Sequence, residues 1–228
     1  MANSELWRNL GLPLTAVFAY LSLLLIVAEI LSRLVTDDPE LTRKVVHIGS
    51  GNVILIAWWL KISQTVILSA VVIAALVAIT SYILPILPSI ESVGRKSFGT
   101  LFYALSMGVL TLFFWQEQPH YAVIGILIMA WGDGLAAIIG QRFGRHKYHL
   151  GTITKSWEGS LAMAIAAASV TVAILWSVEG NSWQIWAIAL GVAIITTALE
   201  AFSKLGIDNL TVPLCGGFLG FWGIQLLL

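Results

Sequence analysis

Long apolar runs separated by short polar connections dominate the chain. A membrane-spanning helix needs about 20 mainly apolar residues, with a range of roughly 17 to 25. None of the runs alternates between apolar and polar positions as the strands of a membrane barrel do. The pattern therefore predicts an all-α, polytopic integral membrane protein with about eight transmembrane helices, or seven if the last run does not cross. The predicted spans are 12–34, 45–60, 63–87, 98–115, 119–141, 157–178, 183–201 and 212–228.

Composition supports a membrane location. Of the 228 residues, 58% are hydrophobic and 11% are charged, whereas a soluble domain carries about a quarter charged residues. The length suits one transmembrane domain over 1–228. A formal net charge of zero gives no reason to expect a nucleic-acid partner. No signal or transit sequence is evident, so we expect a bacterial plasma membrane or a thylakoid membrane.

The positive charges are distributed asymmetrically between the two sides of the predicted bundle. Only two, Arg8 and Lys61, fall in connections on one side, and ten fall on the other. Cytoplasmic loops carry the excess of Lys and Arg, which predicts an N-terminus outside and polar, functional loops inside. The ten are Arg33, Arg43, Lys44, Arg95, Lys96, Arg142, Arg145, Lys147, Lys155 and Lys204.

Asp133 is the most informative single residue. It precedes Arg142 by nine residues, which places it roughly 13 Å below the basic rim of a helix. An ionised group at that depth is costly and indicates function by default, so we expect a metal or substrate role. The structural alternative is a buried aspartate paired with a neighbouring Arg or Lys. The small residues around it recur every four positions, which is typical of close helix packing: Gly132, Ala136, Gly140 and Gly144.

The basic connection before the sixth predicted span has the residues of an anion site. Thr154, Lys155 and Ser156 stand at a helix start, where free N–H groups and the helix dipole favour phosphate. The pattern is not a Walker A loop. We expect Glu158 to orient Lys155 or to hold a metal-bound water, although a first-turn acid can simply complement the helix dipole.

Two further polar clusters lie on the same predicted face. Arg43 and His47 are four residues apart on one helix face, and a neutral imidazole there could accept a hydroxyl proton. Asp208 offers a second carboxylate for Mg²⁺, which takes one or two carboxylates plus substrate phosphates. Turn formation is the structural alternative for Asp208 and Asn209.

Two acid-to-base pairs spaced i,i+4 are interpreted as structural: Glu29 with Arg33, and Glu200 with Lys204.

Four segments together resemble the polyprenol kinase family, which includes phytol, farnesol and dolichol kinases and a CTP-dependent diacylglycerol kinase. The short length is most similar to the phytol kinase branch of cyanobacteria and plastids. The resemblance covers nearly the whole chain. The segments are Arg43-Lys44-x-x-His47, Gly132-Asp133-Gly134-x-Ala136-x-x-x-Gly140-x-x-x-Gly144-x-x-Lys147, Lys155-Ser156-x-Glu158-Gly159-Ser160 and Asp208-Asn209-Leu210-x-x-Pro213.

The resemblance implies transfer of the γ-phosphate of CTP to a long-chain prenyl alcohol. Together with the residue chemistry above, the resemblance implies a role for each candidate residue. Asp133, Lys155, Glu158 and His47 are the predicted catalytic residues, and Asp133 and Asp208 the predicted ligands of Mg²⁺ or another divalent cation. The predicted nucleotide-binding residues are Arg43, Lys44, Gly140, Gly144, Lys147, Ser156, Gly159, Ser160 and Asn209.

Two other functions stay open at this point. Parts of the chain are also similar to phosphatidate cytidylyltransferase, but that enzyme's C-terminal signature is missing, since Leu205 and not Arg follows Lys204. The kinase interpretation is favoured for that reason. A non-enzymatic transporter would need polar residues spread through the spans or inverted repeats, and neither is visible in the sequence.

Overall fold

The computed structural model describes residues 10–34, 38–83, 98–151 and 153–228. Predictions concerning Arg8, Arg95 and Lys96 lie outside the described residues. The helices, in chain order, are α1 (Leu12–Leu34), α2 (Pro39–Gly51), α3 (Val53–Trp59), α4 (Gln64–Ile83), α5 (Gly99–Phe114), α6 (Pro119–Leu127), a π-helical segment (Ile128–Asp133), α7 (Gly134–Phe143), α8 (Trp157–Glu179), α9 (Trp183–Ala201) and α10 (Asp208–Leu227). Two short strands, β1 (Lys147–Leu150) and β2 (Ile153–Ser156), lie between α7 and α8.

The predicted class of an all-α polytopic membrane protein is confirmed. Within the described residues, five helical stretches are long and apolar enough to cross a membrane. They are α1, the continuous stretch Pro119–Phe143, α8, α9 and α10. Gln64–Thr80 of α4 and the whole of α5 are apolar but shorter. In lipid a helix satisfies its backbone hydrogen bonds internally, which is why the apolar runs became helices.

The second predicted span, 45–60, is wrong as a single helix. Helix α2 begins earlier, at Pro39, where the Asp38 carboxylate accepts hydrogen bonds from the next turn's N–H groups. The helix ends at Gly51, and Asn52 separates it from α3. The Asn52 side chain accepts a 2.8 Å hydrogen bond from the Trp131 indole. This break is therefore fixed by a partner on the π-helical segment.

The loop predicted between the fifth and sixth spans contains a β-hairpin instead. Strands β1 and β2 pair antiparallel, with Tyr148 opposite Lys155. The turn uses Gly151 at φ +62°, in the left-handed region that glycine enters without steric penalty. Strands of four residues are too short to show a clear apolar alternation, so the sequence did not indicate them.

A central helix, α6, organises the bundle. Every residue of 120–130 is buried, and α5, α8 and α10 pack around this stretch. The closest backbone approach is to α10, because a Cβ atom on Gly125 would lie 2.2 Å from the Pro213 carbonyl oxygen. The π-helical segment and Asp133 follow directly at the C-terminal end of this helix, so the core positions the site directly.

Close packing of α7 against α8 is also confirmed. A Cβ atom on Gly159 would lie 2.8 Å from the Ala136 carbonyl oxygen and 3.2 Å from the Gly140 Cα. One on Gly144 would lie 2.7 Å from the Ser156 hydroxyl. The small residues of both helices thus allow the backbones to touch, as the four-residue spacing predicted.

Replacing Gly125 with alanine tests this packing away from the polar site. The new methyl group would overlap the Pro213 backbone, so we expect a loss of about 1–3 kcal/mol in the free energy of unfolding. The matched control is Gly191→Ala, where a Cβ atom meets nothing within 4 Å. Thermal unfolding in detergent should show a lower midpoint for the first variant only. Equal midpoints for both variants would contradict the described contact between α6 and α10.

Candidate active site

The site centres on Asp133, the last residue of the π-helical segment. The Lys44 ammonium donates a 2.5 Å hydrogen bond to Asp133 Oδ2, and His47 Nε2 lies 3.7 Å from the same oxygen. Lys44 is 7% exposed. Lys44 and His47 are three residues apart, so they share one face of α2. Two clusters that the sequence predicted separately therefore meet, and the structural alternative of a lysine partner for Asp133 is realised in the same contact.

One nitrogen of the His47 ring has no hydrogen-bond partner. The backbone of Met129 in the π-helical segment interacts with the ring, and the buried Nε2 atom makes no hydrogen bond. The Tyr103 ring lies 5.7 Å away between centroids, and its buried hydroxyl also has no partner. Buried polar atoms are normally hydrogen-bonded, so these two atoms offer sites to a bound polar group.

Lys155 lies at the second charged centre, at the end of β2. Its ammonium donates a hydrogen bond to Glu200 Oε1 at the end of α9. Glu200 is 3% exposed, and its second oxygen, Oε2, has no hydrogen-bond partner. The predicted pair of Glu200 with Lys204 is wrong, because Glu200 turns inward to Lys155. The predicted pair of Glu29 with Arg33 is confirmed on the surface.

The electrostatics join these two centres and the start of α10. Burial alone lowers the pKa of Lys155, but the paired Glu200 carboxylate, with Asp133 and Asp208, outweighs burial and raises that pKa overall. The charge of Asp133 likewise acts on Asp208. The three carboxylates and the two lysines 44 and 155 therefore form one charged neighbourhood.

Asp208 is shaped by its own turn. Its N–H donates a 2.8 Å hydrogen bond to the Ser203 hydroxyl. Its carboxylate accepts hydrogen bonds from the Asn209 backbone, at 3.1 Å, and from the Asn209 side chain, at 3.2 Å. Both predicted residues thus lie at the N-terminal end of α10, and the turn that was their structural alternative is present as well.

The predicted contact of Glu158 with Lys155 is wrong. Glu158 instead accepts hydrogen bonds from the His146 ring, at 2.7 Å, and from the His146 N–H, at 3.1 Å. This closes the hairpin onto the first turn of α8. Ser156 caps the same helix by accepting a 3.1 Å hydrogen bond from the Gly159 N–H. The N-terminus of α8 is therefore ordered directly beside Lys155.

Other predicted nucleotide-binding residues have structural contacts of their own. Arg43 forms a two-pronged pair with Glu40, at 2.8 and 2.5 Å. The Ser160 hydroxyl contacts the Tyr148 hydroxyl at 2.6 Å. Lys147 is exposed on β1. For Gly140, Gly144 and Gly159 the structure explains the glycine by helix packing, and their contact with a nucleotide stays a prediction.

A protein-only metal cage is not present among the residues that the structure describes. No group of three His, Cys, Asp or Glu side chains there could hold an ion. Mg²⁺ often needs only one or two carboxylates, with phosphates and waters completing its shell. Metal binding by Asp133 and Asp208 therefore stays a prediction.

Two residues of the site were missed by the sequence reasoning. Glu200 could have been found, since an acidic residue at the end of an apolar span needs a charged partner. The sequence analysis assigned it the local partner Lys204, four residues later. Tyr103 gave no such signal, because a tyrosine near a span end is typical of an interfacial belt. Only the tertiary fold brings its hydroxyl close to Gly51, where an added Cβ atom would lie 3.6 Å from that oxygen.

The amino-acid sequence is similar to those of known proteins. The chain is 52% identical over 222 residues to the phytol kinase of Synechocystis sp., covering 97% of this chain and 94% of that protein. It is 30% identical over 237 residues to phytol kinase 1, chloroplastic, of Arabidopsis thaliana, covering 94% and 76%. A probable phytol kinase 2, chloroplastic, of Oryza sativa subsp. japonica is 30% identical, covering 95% and 77%.

No family model matches the chain, and no solved structure does. The matches to these relatives extend over almost the whole chain. Their coverage exceeds what a shared membrane-helix composition in one region would give. On these matches, the chain belongs to the phytol kinase family.

Proposed function

We propose that this chain transfers the γ-phosphate of CTP to phytol or a similar long-chain isoprenoid alcohol, giving a prenyl phosphate and CDP. The observation that carries the proposal is the convergence of Lys44, Asp133, Lys155 and Asp208 in one charged neighbourhood. The names of the relatives support the kinase activity and the alcohol class. CTP as the donor rests on the family resemblance alone.

Phosphoryl transfer suits such a site. The reaction depends mainly on alignment and on stabilising charge that spreads over the transferred group. Lysine side chains supply mobile positive charge to phosphate. Both site lysines are held by carboxylates in fixed positions, which reduces the reorganisation needed when the nucleotide binds.

The nucleotide is proposed to bind on the hairpin side. Lys155 and the capped N-terminus of α8 offer an ammonium and helix-end N–H groups to the phosphates, and Ser156 caps that end. We propose that Lys147 on β1 and Asn209 on α10 line the edge of this nucleotide site. The concentration of ten of the twelve Lys and Arg residues in alternate connections supports a cytoplasmic location for this face, where nucleotides are available.

The residues present fit a divalent cation that arrives with the nucleotide. Among the five charged groups of the neighbourhood, carboxylates outnumber ammonium groups by three to two. This excess of negative charge would repel a triphosphate unless a cation bound together with it. Asp133 and Asp208 are the proposed ligands. When bound, Mg²⁺ would neutralise charge on the phosphate oxygens.

The acceptor alcohol is proposed to bind at His47 and Tyr103. Its hydroxyl can donate to the His47 Nε2 atom and accept from the Tyr103 hydroxyl, neither of which makes a hydrogen bond within the protein. The alcohol oxygen would attack the γ-phosphorus, the bond from that phosphorus to the β,γ-bridging oxygen would break, and His47 would take the hydroxyl proton. His47 is preferred over Asp133 as the base because Asp133 is already committed to Lys44.

Product analysis tests this function. Purified protein in detergent is given Mg²⁺, phytol and CTP labelled at the γ-phosphate, and the lipid phase is examined for label. Labelled phytyl phosphate together with free CDP is the expected result. Release of labelled pyrophosphate, with cytidine in the lipid, would instead assign a cytidylyltransferase. Folded protein without turnover on phytol, geranylgeraniol or diacylglycerol would reject the kinase and favour a transporter.

Replacing Asp133 with asparagine or Lys155 with methionine should lower turnover by at least about 100-fold. The first change removes a proposed Mg²⁺ ligand, and the second removes a positive charge that stabilises the reacting phosphates. The measurement is phytyl phosphate formation per mole of folded protein, with folding checked by size exclusion and thermal unfolding. Glu29→Gln, in the exposed pair with Arg33, is the charge-removing control and should keep full activity. Normal activity of either site variant would remove that residue from the mechanism.

Tyr103→Phe deletes one hydroxyl and tests the acceptor site. We expect a several-fold rise in the KM for phytol, of the size that one lost hydrogen bond of about 1 kcal/mol gives, with the KM for CTP unchanged. His47→Gln should lower kcat further, since it removes the proposed base. If Tyr103→Phe leaves the KM for phytol unchanged, the alcohol does not bind at this hydroxyl.

A further inference from the structure

We infer that Glu200 is a positioning residue for nucleotide binding, acting through Lys155. It is the described carboxylate that holds the Lys155 ammonium. The inference rests on the proposed function, because it takes a nucleoside triphosphate as the ligand. It assigns a functional role to Glu200, which the sequence analysis interpreted as part of a structural pair with Lys204.

The first support is burial. The side chain of Glu200 is 4% exposed and that of Lys155 is 28% exposed, so the pair sits below the surface with the lysine on the open side. A surface ion pair contributes little and holds neither partner still. A buried carboxylate needs its partner, because removing one member of such a pair leaves a buried charge uncompensated. Glu200 therefore holds Lys155 in one place.

The second support is the mechanical setting of the pair. Lys155 belongs to a hairpin of two four-residue strands, which cannot be rigid on its own. Glu200 belongs to α9, which packs extensively on α8 and α10. The ion pair thus ties the hairpin to the helix bundle. Without it, the Lys155 ammonium would keep its charge but lose its fixed position.

The third support is the state of the remaining atoms. Glu200 Oε2 is buried and has no hydrogen-bond partner, which is an unfavourable arrangement in a purely structural pair. Asp133 and Asp208 both act electrostatically on Glu200, so Glu200 faces the same neighbourhood as the predicted metal ligands. A purely structural pair would not be expected to leave a buried carboxylate oxygen without a hydrogen-bond donor.

The test is equilibrium binding, without an acceptor alcohol, so that it does not depend on turnover. Binding of CTP with Mg²⁺, and of tripolyphosphate with Mg²⁺, is measured on the full-length protein in detergent. Glu200→Gln should weaken both by roughly 10–100-fold, the range found when a supporting partner of a ligating group is lost. The matched control is Glu179→Gln, an exposed glutamate at the other end of α8, which should bind as the native protein does.

A double-mutant cycle shows whether Glu200 works through Lys155. If it does, Lys155→Met and the double variant Lys155→Met/Glu200→Gln should bind CTP equally weakly, since nothing remains to be positioned. Additive losses would overturn this route and make Glu200 an independent ligand. The double variant leaves no lysine unpaired, so its comparison with Lys155→Met tests this route even if Glu200→Gln alone folds poorly.

Kinetics separate the outcomes further. In an active enzyme, Glu200→Gln should raise the KM for CTP while the KM for phytol stays the same, which a general loss of folding would not produce. Unchanged CTP binding by folded Glu200→Gln would overturn the inference. If the native protein binds tripolyphosphate through Lys155 and Glu200 but transfers no phosphate to any alcohol, the inference stands and the proposed function fails.

Discussion

The buried ion pair between Lys44 and Asp133 is the interaction on which the site depends. An unpaired charge at membrane depth is strongly unfavourable, so α2 must approach the π-helical segment closely enough for the 2.5 Å contact. Small residues make that approach possible. A Cβ atom on Gly51 would lie 2.2 Å from the Ala130 Cβ, and one on Gly134 would lie 2.3 Å from an Ile48 side-chain atom. The same approach brings His47 beside Asp133.

The pair of Lys155 with Glu200 repeats this logic on the other side of the site. One lysine is fixed by the π-helical segment and the other by α9, so the two pairs bring four different elements together. Buried pairs are weak evidence for stability, because desolvation offsets much of their attraction. Their presence in a membrane protein of the phytol kinase family is better explained by what the lysines do for a phosphorylated ligand.

Much of this architecture could be predicted from the sequence, for one physical reason. Lipid requires each spanning backbone to satisfy itself, so apolar runs become helices almost regardless of neighbours. Asp133 could be singled out for a related reason, as a charge where charges are costly. The choice of Lys204 for Glu200 failed because local spacing gives only a weak preference of a few tenths of a kcal/mol, and tertiary burial overrode it. The break at Asn52 and the orphan hydroxyl of Tyr103 depend on contacts between distant segments, which periodicity does not encode.

The central claim is that the Lys44–Asp133 pair is retained for chemistry and not for folding. Replacing both members, as Lys44→Met/Asp133→Leu, removes the two charges together, and such apolar replacements of buried pairs are often neutral or stabilising. The decisive measurement is phytyl phosphate formation by this folded double variant. Our account predicts a thermal midpoint at least equal to that of the native protein, with no detectable transfer. A folded double variant that still makes phytyl phosphate would contradict it, since the pair would then be a structural contact alone.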